Sequence, residues 1–447
     1  MQPSFRKADF AGTYFPGNHF LRIRHESGGR ERQRWPTMPC GLYSFCDLMS
    51  NVAGVSTDPL PKSHFEVLDG LRGVAAFLVV AFHTLEPNDH GIRFNQIINH
   101  GYMAVDFFFL LSGFVVAYAY DDRWRSMSRW DFYKRRLIRL QPMVVMGSLI
   151  GAALFYFQGG PAFPLVATTP AWRMLLVMVL GCTLLPLPYQ LDIRGWDEMH
   201  PLDGPAWSLF FEYVANILYA LGLRKLSNRW LGLLAAFSAI FLVHLLLTGE
   251  GDVIGGWATN GVQLHIGFAR LLYPFLAGML LMRSGMRIRV RHGFYVCSLL
   301  LIVCFALPRF GGPDHLWVNG LYEAFCIIVV FPIIVAIGAG QRDASAATNR
   351  LCRFFGDISY PLYITHYPLI YIYTAWIARS PRTLEQRTGW GILLWCTSVA
   401  IGYACLKLYD EPVRAWLTRR FLRSSQGGAT VHIPGTDPAF PSDQPRA

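Results

Sequence analysis

Arg72 and His83 stand eleven residues apart in the apolar segment HFEVLDGLRGVAAFLVVAFHTLEP. Eleven steps of ~100° make three turns plus roughly 20°, so on a helix both side chains leave one face, about 16 Å apart in height. A guanidinium on that face can hold an anion, and an imidazole can take up and return a proton. The next apolar segment, GYMAVDFFFLLSGFVVAYAY, contains a single carboxylate, Asp106. A carboxylate in such surroundings needs a partner. Arg72 and His83 are the nearest candidates in sequence, so Asp106 is expected to orient His83 or to neutralise an arginine.

Arg135, Arg136 and Arg139 follow in FYKRRLIRLQP. Residues at i and i+3 share a helix face, so the forks of Arg136 and Arg139 can grip one phosphate group. Coenzyme A, with a 3′-phosphate and a pyrophosphate, is a ligand of that kind. GPAWSLFFEYVANILY sets Trp207, Ser208 and Glu212 at the head of a span, with Ser208 and Glu212 on one face as a polar spot for an acceptor. GDISYPLYITHYPL carries Ser359, Tyr360 and His366 around Pro361, and Glu411 and Arg414 close the last apolar segment. Each group also has a structural use: arginines at helix ends snorkel, and buried polar side chains tie helices together.

The elements that must position these groups are set by composition. Of 447 residues, 53% are hydrophobic and 15% charged, against about a quarter charged in an ordinary globular chain. That balance predicts a membrane protein. The net charge of +11 is split into short clusters between apolar runs, which suits membrane topology rather than nucleic acid. Runs fit to cross ~30 Å of hydrocarbon lie near 67–86, 101–120, 142–158, 172–188, 207–222, 230–248, 264–282, 294–308, 320–338, 358–378 and 390–409. Five basic clusters, at 121–140, 224–229, 283–291, 342–353 and 414–423, hold 21 Arg and Lys in total. Ten crossings place all five on one side, as the positive-inside rule asks, whereas eleven do not. The expected fold is therefore an all-α polytopic membrane protein of about ten transmembrane helices with both termini cytoplasmic. The 172–188 run, ending in Pro186 and Pro188, is expected to be re-entrant or interfacial.

Residues 1–63 are polar and aperiodic, expected to be disordered or, over 1–48, to precede the true start. Residues 64–423 form the membrane domain, and 424–447 a disordered tail. Most of the nine cysteines lie in apolar runs, and no CxxC or Cys/His metal spacing occurs, so no metal site is expected.

Taken in order, the motifs resemble the acyltransferase 3 family of integral membrane O-acyltransferases. They are DGLRGxAxxxVxxxH (Asp69 to His83), VDxFFxxSGF (Val105 to Phe114), RRxxR (Arg135 to Arg139), WSLxxE (Trp207 to Glu212), SYPLYxxH (Ser359 to His366) and EPxR (Glu411 to Arg414). The resemblance implies ten spans in a bacterial inner membrane and acyl-CoA, by default acetyl-CoA, as a co-substrate entering from the cytoplasm rather than a bound cofactor. It implies a glycan, glycolipid or small hydroxylated acceptor, Arg72 and His83 at the core, and Arg136 and Arg139 on coenzyme A. Two departures bear on the acceptor: Pro205-Ala206 stand where many members have His-Thr, and Tyr213 where many have a second Glu. A soluble SGNH domain, fused in some relatives, is not expected here.

On this reading His83 is a general base or an acyl carrier, Arg72 holds the cofactor or its developing charge, and Asp106 balances charge. Trp207, Ser208, Glu212, Ser359, Tyr360 and His366 face the substrate. A transporter or channel with Arg72, Asp106 and His83 as a substrate or proton relay is the competing expectation.

Overall fold

A computed structural model describes residues 64–89, 96–341 and 345–422, so the expectations for 1–63 and 424–447 fall outside the described residues. Among the described residues the only regular elements are helices. In chain order they are α1 (Glu66–Leu85), α2 (Ala104–Tyr120), α3 (Arg129–Leu154), α4 (Ala171–Gly181), α5 (Ala206–Leu221), α6 (Asn228–Thr248) and α7 (Gly261–Ser284). Then come α8 (Gly293–Ala306), α9 (Trp317–Phe325), α10 (Phe331–Gly340), α11 (Ala346–Thr365), α12 (Tyr367–Arg379), α13 (Leu384–Cys405) and α14 (Glu411–Phe421). Seven helical stretches are long and apolar enough to cross a membrane: 66–88, 101–120, 129–158, 228–248, 261–284, 317–340 and 384–421. Helices α4, α5 and α8 are apolar but shorter. In α4 the expected 172–188 run shrinks to 11 residues, about 17 Å of helix, and Leu184 adopts a left-handed φ of 61° beyond it.

With lipid no drier than the protein interior, helices are held by close packing of small residues. The contact between α2 and α7 is reciprocal. A Cβ at Gly113 would run into the Phe275 carbonyl, and one at Gly278 into the Leu110 carbonyl. The glycine of the SGF motif is thus a packing requirement. Helix α1 lies as closely on α11, where Gly70 meets Cys352, Gly73 meets Phe355 and Gly356 meets Asp69. Residues of the Arg72/His83 helix and of the Asp106 helix share one hydrophobic core.

Two irregularities shape the centre. The expected span 358–378 is two helices, α11 and α12, meeting at His366. Pro361 lies inside α11 and Pro368 in the first turn of α12; each removes a backbone N–H donor. Between α9 and α10 a wide turn at Cys326–Val330 loosens the helical ladder, and the Tyr273 hydroxyl donates to the Ile328 carbonyl there at 2.9 Å.

Candidate active site

Two cavities of about 320 and 380 Å³ lie in the core and share Val105 and Tyr363 as walls. The first is an arginine cavity, lined by Arg72, Arg136, Arg139, Arg353 and Arg414 together with Glu212, Ser359 and Tyr360. The second is a histidine cavity, lined by His83, Glu86, Glu198, Arg270, Tyr367 and three tryptophans. One face of α1 serves both, with Arg72 in the first and His83 in the second, as the eleven-residue spacing requires.

The arginines are not equivalent. Arg136 is buried and pairs with Glu212 at 2.5 Å, and Ser112 donates to the same carboxylate at 3.0 Å. Ser208 and Glu212 both line the arginine cavity, while Trp207 lines the other. Arg72 pairs with Asp69 at 2.9 Å and donates to Ser359 at 2.9 Å and to the Gly356 carbonyl at 3.1 Å. Arg139 is open to the cavity, and among the described residues no carboxylate lies within ion-pairing distance of it. A multiply charged anion would find its least committed guanidinium there. Arg135 is exposed and outside the lining. Ser208 shares a hydrogen bond of 2.9 Å with the Tyr363 hydroxyl at the common wall, and Tyr360 donates to the Leu140 carbonyl at 2.6 Å.

His83 falls in the last turn of α1, at the end far from Arg72. Its Nδ1 lies 2.9 Å from Glu86 Oε2. That carboxylate holds the tautomer with the proton on Nδ1 and the lone pair on Nε2. Tyr367 packs edge-on at 4.9 Å, and the ring of His366 is 5.6 Å away. His366 is fully buried, with Nδ1 on the Tyr363 carbonyl at 2.8 Å and no hydrogen-bond partner on Nε2. It stands behind His83 rather than in the cavity lining.

Asp106 meets neither Arg72 nor His83. Its partner is Arg270 of α7, at 2.7 and 3.3 Å, with both side chains buried. The expectation of a neutralised arginine holds and the expected partners are corrected. Two helices packed through glycines bring together charges far apart in sequence. Arg270 also donates to the Tyr102 carbonyl at 2.7 Å and lies 5.0 Å from the Trp207 ring, fixing a wall of the histidine cavity. Among the described residues no cluster of His, Cys, Asp or Glu could hold a metal ion.

The family model described as an acyltransferase domain matches residues 65–407. The chain belongs to the acyltransferase 3 family. This acyltransferase is 34% identical over 190 residues to Protein 2 in picA locus of Rhizobium radiobacter, an overlap of 41% of this chain and 95% of the relative. It is 29% identical to the acyltransferase MdmB of Streptomyces mycarofaciens, over 68% of this chain and 78% of the other. It is 25% identical to the putative peptidoglycan O-acetyltransferase YrhL of Bacillus subtilis, over 80% of this chain and only 56% of that protein. No solved structure matches it. The matched stretch includes the arginine and histidine cavities except for a few lining residues at its ends.

Proposed function

We propose that this acyltransferase moves an acyl group, by default acetyl, from acyl-CoA to a hydroxyl of a glycan, glycolipid or small acceptor, at His83. The observation that carries the proposal is the pair of cavities meeting at Val105 and Tyr363, with an uncommitted arginine in one and an oriented imidazole in the other. Arg139, backed by Arg136 and Arg72, holds the coenzyme A phosphates. The pantetheine arm passes the Val105–Tyr363 wall, and the thioester reaches His83. Two routes fit the Nε2 lone pair. As general base, His83 takes the acceptor's hydroxyl proton, the oxygen bonds to the acyl carbon, the C–S bond breaks, and the proton passes to the departing thiolate. As nucleophile, Nε2 bonds to the acyl carbon while the C–S bond breaks and coenzyme A leaves as thiolate; the acceptor oxygen then bonds to that carbon while the C–N bond breaks, and the hydroxyl proton passes to the thiolate.

The topology that goes with this reading has ten crossings, with the basic clusters and both termini cytoplasmic, so acyl-CoA enters at the arginine cavity. Helix α4 and the irregular stretch after it do not cross. A transporter with the same buried charges has less use for an uncommitted arginine in a cavity, and it predicts no stabilisation by coenzyme A. The deciding experiment is thermal unfolding of detergent-purified protein with and without coenzyme A, together with acyl-transfer kinetics of Arg139→Ala. One charge-assisted hydrogen bond is worth ~1.5–3 kcal/mol, so KM for acyl-CoA should rise roughly 10- to 100-fold with kcat little changed. An unchanged KM removes Arg139 from the donor site.

A further inference from the structure

The histidine cavity holds a second carboxylate that the mechanism above leaves unused. Glu198 is buried in the stretch between α4 and α5 and lines the cavity. Its Oε2 accepts the Tyr371 hydroxyl at 2.6 Å and lies 3.7 Å from Arg194 Nε, which leaves Oε1 for the cavity. The support beneath it is rigid. Arg194 is fully buried, stacks 3.4 Å from the Tyr371 ring centroid, and donates to the Pro201 carbonyl at 3.0 and 2.7 Å. Asp192 gathers the backbone N–H groups of Arg194, Gly195 and Asp197. Asp197 itself adopts a left-handed φ of 55°, an unusual conformation for a residue other than glycine. It sits between Trp196 and Glu198, both of which line the cavity. Gly204 makes the room: a Cβ there would meet the Tyr371 hydroxyl at 2.8 Å and Glu198 Oε1 at 3.1 Å.

Three indoles, Trp196, Trp207 and Trp257, line the same cavity. Indole faces carry negative potential and attract C–H groups of positive polarity, such as those on the face of a pyranose ring. We propose that Glu198 binds the acceptor: Oε1 takes one ring hydroxyl of a neutral sugar lying against Trp196 and Trp257, the two indoles that Arg270 and Gly256 do not cover, and so turns another hydroxyl towards His83. The turn towards His83 rests on the acyl-transfer reading; the binding itself does not. Hydrogen bonds to a carboxylate are among the strong ones. An anionic sugar is disfavoured because Glu86 and Glu198 both face the cavity, whereas its arginine, Arg270, is already matched by Asp106.

Burial raises Glu198 to about 7, against the pull of Arg194 and Tyr371. The groups around it are Arg194, Asp192 and Asp203 on its own stretch, Tyr367 and Tyr371 on α12, His83 and Glu86 at the end of α1, and Tyr102 and Arg270 across the cavity. The carboxylate loses its proton as pH rises through that value, so sugar binding should strengthen from about pH 6 to about pH 8.

The test is tryptophan fluorescence of the full-length protein in nanodiscs, titrated with glucose and with glucuronate at both pH values. Glucose should quench the wild type more tightly at the higher pH, and glucuronate should not quench. Glu198→Ala should weaken the glucose response at least ~10-fold, and Glu198→Gln, which keeps the shape, should remove the pH-dependent gain. A wild type insensitive to glucose overturns the proposal, as does a Glu198→Ala or Glu198→Gln variant that titrates like wild type. No acyl donor enters the measurement, so absence of coenzyme A turnover would count against acyl transfer and not against this site.

Discussion

His83→Ala is expected to lower acyl transfer by about 10²- to 10⁴-fold, the usual reach of a positioned acid–base group, and to leave stabilisation by coenzyme A intact. The separation of the two effects follows from the geometry. The imidazole lines a different cavity from Arg72, Arg136 and Arg139, so its loss should fall on kcat. Steady-state kinetics beside thermal unfolding read both quantities on one preparation. Glu86→Ala should reproduce part of the loss, because the carboxylate 2.9 Å from Nδ1 sets the tautomer. Equal turnover by His83→Ala and wild type would remove the imidazole from the reaction.

The second large effect is on folding. Asp106→Ala should destabilise the protein by about 3–5 kcal/mol, because it leaves the Arg270 guanidinium buried without its counter-charge. Asp106 and Arg270 are 0% and 2% exposed, so little water is at hand to compensate. Removing both charges is a different matter. Asp106→Leu combined with Arg270→Met should regain most of the loss, since two apolar side chains of similar volume spare both desolvation penalties. Thermal or SDS-induced unfolding of the two variants measures the difference. A single variant as stable as wild type would show that the pair contributes nothing to the fold.

The apolar runs announced most of the helices, because hydrocarbon-length segments of Leu, Val and Phe have few other uses. The eleven-residue spacing of Arg72 and His83 likewise survives, as helical periodicity is local. The partner of Asp106 was not legible from its neighbours. Arg270 lies 164 positions away, and only the glycine contact between α2 and α7 brings the two together. A signal existed nonetheless in the arginine inside the apolar run GVQLHIGFARLLYPF. Glu86, three residues after His83, could also have been found by the i, i+3 rule. The break at His366 was signalled by Pro361 and Pro368. Glu198 had no such marker, because its burial comes from tertiary contacts with Tyr371 and Arg194 in a stretch that has no periodicity to read.

The proposed route from acyl-CoA to His83 needs passage between the two cavities, and Val105, which lines both, is where to test it. Native membranes containing wild type or Val105→Trp can be given acetyl-CoA labelled on its acetyl group, and the label followed from thioester to ester. The expected result is labelled ester in wild-type membranes and at least ~100-fold less with Val105→Trp, as for a misplaced reacting group, while coenzyme A still stabilises the variant. Transfer by Val105→Trp at the wild-type rate would contradict a route from the arginine cavity to His83.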